Sequence, residues 1–426
     1  MNYKQNFKIM QITDKTLVVG VDIAKKVHFA RAFDWRGIEV DKTISFKANS
    51  RGFGEFMEWA RKTAEKNRKN KIVVGIEPTG HYWFTFAQAV IEESVMLVQV
   101  NPFHVKNTKE LDDNTPSKSD RKDPKTIAML VKDGRYQIPY LPKGNYAELR
   151  KANNLREEWL KKMWTIKNKV KRWLDMYFPE LLDVFSAWEG KTAVMTLERM
   201  ALPTKITGLT AEEILTMWRE EVKRGVGIKK AQQLLEAAEN SVGIKEGLGI
   251  ADYEIRLLMK EYKEIRQIMD ELEGKLEAIV MTIPGVENFL EIKGIGIKTV
   301  GGFFAEVGEI RRFTHPKQII KLAGLNIREN SSGEHKGKTT ITKRGRSRLR
   351  ALLFRAILPM TAKNKEFNEL HKYYTTRKDN ALKKMQSLVV LCCKLIKVVY
   401  KLVTEDVKYD PEKMLKDIHR DEAPAA

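Results

Sequence analysis

The chain has 426 residues, 42% of them hydrophobic and 9% aromatic, and its 77 Lys and Arg outnumber its 56 Asp and Glu to give a formal net charge of +21. That length implies two or three folding units, each able to bury a core, and that charge makes an acidic polymer the first partner to expect. A membrane partner is disfavoured, because the most apolar run, Leu388 to Val403, is interrupted by Lys394, Lys397 and Lys401 and is too short to span.

The N-terminus has no apolar segment of the secretory kind, and the adjacent Cys392 and Cys393 offer neither a disulfide framework nor a zinc pattern. The expectation is a soluble, cytoplasmic, nucleic-acid-facing protein. In the N-terminal third, Thr16–Asp22 is a β-rich apolar run ending in an acid. Lys26–Phe33 and Glu39–Phe46 follow as predicted strands, with Arg36-Gly37 as a turn between them. Ser50–Glu65 has helical periodicity through Phe53, Phe56, Met57 and Ala60, with Asn49 or Ser50 as the N-cap. Lys71–Glu77 is a further buried strand ending in an acid; Pro78-Thr79-Gly80 breaks it, and a helix opens near His81. Val95–Val100 is stopped by Asn101-Pro102. The order β-β-β-α-β-α-β, then a helix, is that of the ribonuclease H-like fold, a mixed sheet flanked by helices.

That order gives the acids a purpose. Asp22 and Glu77 each end an apolar strand, where ligand sites of α/β sheets gather. Asp120 and Asp123 are three residues apart, and at a helix start both would face one point. Four converging carboxylates suit two Mg²⁺ ions about 4 Å apart for in-line phosphoryl transfer, with Mn²⁺ as the alternative ion. The plainer alternatives are a turn residue at Asp22, a surface acid at Glu77, and an N-cap at Asp123 ahead of Pro124. His81 is a satisfied local side chain or a substrate contact.

From Tyr146 to Phe178 one helix is predicted, stopped by Pro179. Residues 181–250 suggest only helical pieces. From Ile255 to Ile279 apolar residues recur at 3-4 spacing over several heptads, the pattern of a coiled coil within or between chains, or of an amphipathic helix on a globular core. Beyond Pro284-Gly285, the Gly294-Ile295-Gly296 turn lies between two apolar helical segments. It has the form of a helix-hairpin-helix element, with Lys293, Gly294, Gly296 and Lys298 placed to meet a nucleic-acid phosphate. Phe313 to Ala323 is a further helix. The stretch Gly324 to Arg350 then joins Ser331, Ser332 and Gly333 to Lys343, Arg344, Arg346, Arg348 and Arg350, with no carboxylate after Glu334. Such a loop is a nucleophile beside a phosphate-binding cluster, or a solvated basic surface with two turn serines. Ser347 opens a helix with a basic first turn, 380–404 form another helix, and 405–426 are predicted as a polar tail. The domains expected are 1–145, 146–281, 282–375 and 376–426.

The segments GVDIAKKVH, GIEPTGHYW, SDRKDPKTIA, IPGV, FTHPKQIIKLAGLNIRENSSG and ITKRGRSRLR resemble, in this order, the DEDD-type insertion-sequence transposases of the IS one-ten family, relatives of the Piv-type DNA invertases. The resemblance runs from about Val19 to Leu353. It implies a RuvC-like N-terminal domain, a coiled-coil linker and a C-terminal transposase domain. It identifies Asp22, Glu77, Asp120 and Asp123 with the metal-binding tetrad, and Ser332, ahead of Gly333, with the serine that joins covalently to DNA; Ser331 is the fallback. It further implies Mg²⁺, a homo-oligomer (a dimer, or a tetramer on DNA), a non-coding guide RNA pairing with target and donor DNA, and a bacterial or archaeal, nucleoid-associated setting. Pro124 departs from the Ala more usual after the second Asp, and 181–250 is longer than in compact members. The competing readings are a metal-dependent junction nuclease using water, which leaves the serine loop unexplained, and a non-catalytic nucleic-acid-binding protein, which predicts lost acids.

Overall fold

The computed structural model describes residues 3–112, 123–328, 331–332, 335–337, 339–416 and 418. They fall into two compact units, Met1–Leu141 and Pro142–Ala426.

In the first unit, α1 (Tyr3–Met10) precedes β1 (Thr16–Asp22), β2 (Val27–Phe33), β3 (Ile44–Lys47), α2 (Ser50–Lys66) and β4 (Lys71–Ile76). Then come α3 (Trp83–Glu92), β5 (Met96–Val100), α4 (Pro102–Asp112), α5 (Asp123–Lys132) and β6 (Tyr136–Gln137). The predicted succession of elements is present. All six strands form one mixed sheet in the order β3-β2-β1-β4-β5-β6. β2 is antiparallel to β1 and β3, β4 is parallel to β1 and β5, and β6 closes antiparallel to β5. β1 is covered on both faces and accordingly reads as a continuous apolar run.

β3 is shorter than the predicted Glu39–Phe46 strand, and side-chain hydrogen bonds account for this. The Asp34 carboxylate accepts from the amides of Arg36, Gly37 and Ile38 at 2.9, 3.0 and 2.9 Å, closing a tight turn with Gly37 at φ 97°. The hydroxyl of Thr63 on α2 then donates to Asp41 at 2.7 Å, drawing that part of the chain to the helix. Asn49 is the N-cap of α2, accepting from the Gly52 amide at 2.8 Å.

The core on one side of the sheet joins Phe46 to Phe56 of α2 and Phe86 of α3. The core on the other joins Val18, Val73 and Val98 to Ile127, Ala128 and Val131 of α5. Gly20 of β1 and Gly75 of β4 are register partners beneath α5. A β-carbon on Gly20 would lie 1.9 Å from the Pro124 carbonyl oxygen, and one on Gly75 would lie 2.5 Å from a Val131 methyl. The paired glycines therefore form the bed of the helix.

The second unit is built around two long helices. After α6 (Asn145–Tyr177) come α7 (Leu181–Val184), α8 (Lys191–Arg199), α9 (Pro203–Ile206), α10 (Ala211–Arg219), α11 (Ile228–Glu239) and α12 (Leu248–Met281). α6 and α12 pack along each other within the chain. Residues 181–250 are more than a connection: with these two helices they enclose a core holding Trp173, Phe178, Trp218, Ile255 and Tyr262. Two of its buried indoles are hydrogen-bonded, Trp173 to the Ala251 carbonyl at 2.9 Å and Trp218 to the Thr196 hydroxyl at 3.0 Å.

A second core gathers α13 (Val286–Leu290), α14 (Ile297–Val307), a 3₁₀ turn at Ile310–Arg312 and α15 (Pro316–Leu322). Next are β7 (Ile327–Arg328), β8 (Ser331–Ser332), β9 (His335–Lys336) and β10 (Thr340–Ile341), followed by α16 (Ser347–Lys363), α17 (Lys365–Thr376), α18 (Lys384–Thr404) and α19 (Pro411–Leu415). The apolar run at 388–403 is the buried face of α18, and no described helix is long and apolar enough to cross a membrane. Burial pushes the thiol of Cys392 up to about 12 and that of Cys393 up to about 11, so both stay protonated at neutral pH. The predicted polar tail is corrected in part: Asp410 caps α19 by accepting from the amides of Glu412 and Lys413, and Met414 is buried in the core.

Glu273 of α12 ties three helices of this unit together, accepting from Lys298 of α14 at 2.6 Å and Arg156 of α6 at 3.2 Å. Burial alone would raise its carboxyl pKa, but the bonds from Lys298 and Arg156 outweigh burial and hold it below the ordinary value.

Two stability measurements follow from these contacts. Gly20→Ala is expected to destabilise the first unit by about 3 kcal/mol in denaturant unfolding, because the backbone of α5 must move. Gly54→Ala, in α2 with open space around it, is expected to be neutral or to gain about 1 kcal/mol. For Glu273, a depressed folded pKa contributes stability that is present above the unfolded value of about 4.3 and is lost as pH falls through the lower folded value. Thermal melts should therefore show a Glu273→Gln protein that is less stable than the parent near neutrality, with the gap closing on acidification below about pH 4.

Candidate functional site

The last register pair of the parallel strands β1 and β4 is Val21 with Ile76. Asp22 and Glu77 each stand one residue beyond it, at the same edge of the sheet, and both are half-buried. The Thr79 amide donates to the Glu77 carbonyl at 2.8 Å and the Thr79 hydroxyl to its carboxylate at 3.4 Å, folding the Pro78-Thr79 turn back on the acid. Asp123 opens α5 immediately before Pro124, whose carbonyl rests on Gly20, two residues ahead of Asp22. The close glycine contact thus brings the start of α5 to the end of β1. Asp120 lies outside the described residues. Among the described residues, no group of three or more His, Cys, Asp or Glu is gathered closely enough to hold a metal ion.

One residue at this edge escapes a reading of the sequence. His28 on β2 is fully buried against the rings of Phe46, Phe53 and Phe86. Its Nδ1 accepts from the Ala24 amide at 3.1 Å, and Nε2 has no partner. Burial lowers its pKa, so the ring is neutral and anchors the loop that follows Asp22. The available signal is a histidine inside an otherwise apolar strand, which the pattern alone does not connect to the loop. His81 is exposed and lies against Tyr82, the two rings tilted by 40° with 4.2 Å between their centres.

The serine stretch, expected as a loop, forms two nested antiparallel ribbons. β7 pairs with β10 through Ile327–Ile341 and Arg328–Thr340, and between them β8 pairs with β9 through Ser331–Lys336 and Ser332–His335. The base is closed by the Thr342 amide on the Asn326 carbonyl (2.8 Å) and the Lys343 amide on the Gly324 carbonyl (3.0 Å). Gly324 takes φ +68°, with a β-carbon position 2.9 Å from the Lys343 carbonyl carbon, so the chain's return demands glycine there.

The basic residues after the ribbon divide into two sets. Lys343 and Arg344 are exposed. Arg346 pairs with the buried Glu306 at 3.2 Å, Arg348 donates to the Asn154 side chain, and Arg350 donates to the carbonyls of Ala323 and Lys343 at 2.9 and 3.3 Å. Arg346 and Arg350 brace the fold from half-buried positions, while Arg348, though bonded, is itself exposed. At the glycine turn, Gly294 has φ +96°, and Lys293 is exposed. Gly296 precedes α14 with no side-chain cap and open space where a β-carbon would be, so packing does not account for its glycine. Lys298 is exposed but bonded to Glu273.

Comparison with known proteins finds two matching family models. One, described as "Transposase", matches residues 19–179; the other, described as "Transposase IS116/IS110/IS902 family", matches residues 286–375. The transposase for insertion sequence element IS1111A of Coxiella burnetii is 30% identical over 158 residues, 36% of this chain and 40% of that protein. A probable family 20 transposase of Pseudomonas aeruginosa is 30% identical over 100 residues, 22% of this chain and 30% of that protein. The matched stretches thus span less than half the length of either relative. With one model covering the acid-bearing sheet and the other the glycine turn and serine ribbon, the chain belongs to the IS110-type, DEDD family of transposases.

Proposed function

We propose that the protein is a DNA recombinase of an insertion sequence that cuts and rejoins strands through a covalent serine–DNA intermediate. The observation carrying this reading is the placement of Asp22 and Glu77 at the ends of adjacent parallel strands, with Asp123 held to the same strand end by α5. A sheet of three antiparallel strands continued by two parallel ones supports a ribonuclease H-like, RuvC-like assignment for the first unit.

In this reading Asp22, Glu77, Asp120 and Asp123 would hold Mg²⁺, the described three of them not being gathered closely enough to do so by themselves. Their all-carboxylate donor set fits a hard divalent cation. When bound, the ion supplies charge stabilisation to a phosphodiester under attack. The Oγ of Ser332 forms a bond to phosphorus as a deoxyribose oxygen leaves; attack by a new deoxyribose hydroxyl later restores the serine. The exposed Lys343 and Arg344 hold the phosphate at the foot of the ribbon, and Lys293 with the amides of Gly294 and Gly296 grips a neighbouring backbone. The partners are duplex DNA from element ends and target, further copies of the chain, and a guide RNA of the kind the family resemblance implies.

The test is trapping. Protein, element-end DNA, candidate guide RNA and Mg²⁺ are incubated and run on a denaturing gel. The expected result is a covalent adduct present with Ser331→Ala and absent with Ser332→Ala. Asp22→Asn, folded by circular dichroism, should lose at least about 100-fold in adduct formation. Cleaved DNA without an adduct would replace the serine reading with a water nuclease, and full activity of Asp22→Asn would remove the metal site.

A further inference from the structure

We infer that the outer face of α6 is a binding surface for an unpaired DNA strand, with Trp164 as a stacking platform in a row of cations. Between Lys161 and Arg172 the helix carries Lys161, Lys162, Lys167, Lys169, Lys171 and Arg172 and no carboxylate. Lys161, Trp164, Asn168 and Lys171 are spaced three, four and three residues apart, so they share one face, and all four are exposed. The opposite face, with Ile166, Val170 and Trp173, is buried in the core. Stability of the helix is secured there and does not involve Trp164.

Trp164 is 63% exposed, more than any other of the eight tryptophans. Lys167 lies 5.8 Å from its ring centre and is itself held by Glu189 at 3.1 Å. An indole left in water among cations is a poor core residue and a poor protein-docking patch: a stable protein interface buries on the order of 1,000 Å² or more with an apolar centre. Along α6 Trp164 is set apart from the other large exposed apolar residues, Leu155 and Met176, which are more than two turns away in either direction.

What an isolated indole flanked by lysines suits is a base stacked on the ring, with backbone phosphates on Lys161 and Lys171. Duplex DNA keeps its bases stacked inside, so only an unpaired strand can use the ring. Strands that exchange partners must unpair, which makes a DNA strand the natural occupant. That choice of DNA rests on the recombinase reading; the surface itself does not.

The experiment measures fluorescence anisotropy of labelled oligonucleotides of about twelve nucleotides with the full-length protein: oligo-dT, oligo-rU and a mixed-sequence duplex. Trp164→Ala is expected to weaken oligo-dT binding about 10-fold and Trp164→Phe to retain most of it, with duplex affinity unchanged. Lys171→Gln should weaken oligo-dT and duplex alike and flatten the salt dependence. The proposal is overturned if Trp164→Ala binds oligo-dT like the parent, or loses oligo-dT and duplex equally. Trp164-dependent binding of oligo-rU alone would assign the surface to RNA instead. Dissociation of an oligomer by Trp164→Ala in sedimentation would assign it to a second copy. Because no strand is cut, the readout is separate from adduct formation: loss of the adduct with Trp164-dependent oligo-dT binding intact would sink the recombinase reading alone.

Discussion

The first unit depends on one steric fact: two register-paired glycines, Gly20 and Gly75, let α5 lie on the sheet at backbone distance. Glycine within a strand costs β-propensity and backbone entropy. Here the loss is offset by apolar packing of Ile127, Ala128 and Val131 on Val18, Val73 and Val98. The same contact has a chemical consequence, because α5 begins with Asp123, and its first carbonyl after that residue sits over the strand that ends in Asp22. Packing and the placement of carboxylates are therefore one constraint. A side chain at position 20 would disturb both.

In the second unit the corresponding constraint is the closed base of the serine ribbon. Gly324 in the left-handed region and the Lys343–Gly324 hydrogen bond return the chain to its starting point, so the basic residues emerge beside the ribbon. Arg350 then secures that return through the carbonyls of Ala323 and Lys343. One guanidinium nitrogen, Nη1, thus joins the C-cap carbonyl of α15 to the carbonyl of Lys343 on the returning strand.

Much of the first unit was legible because its signals are local. Apolar β-branched runs, Asn49 before a helix and Pro78-Thr79-Gly80 after a strand each act within a few residues. What remained hidden was set by distant partners. The truncation of β3 depends on Thr63 reaching Asp41 across 22 residues, and the role of His28 depends on Ala24 and three phenylalanines from other elements. The acids at the ends of β1 and β4 were readable as strand ends. That they are level with one another is a property of register, which no single strand encodes. The C-terminal helix α19 is only five residues long, too short for a periodic signal, and it docks through the buried Met414 with Leu415 packed beside it.

The basic composition needs the same distinction between a charge that is present and a charge that is available. Arg346, Arg348 and Arg350 meet a carboxylate, an amide oxygen and backbone carbonyls in the folded chain. Releasing Arg346 or Arg350 to a phosphate would leave a buried or half-buried acceptor unsatisfied, a cost of about 1–3 kcal/mol against the gain of one screened contact, whereas the bond of Arg348 is already exposed to water. Lys343, Arg344 and the outer face of α6 carry no such cost, being exposed. Counterion release scales with the phosphates actually neutralised. The salt dependence of the proposed nucleic-acid binding should accordingly follow these exposed cations and not the net charge of +21. Composition names the class of partner, and the folded contacts decide which residues are left to meet it.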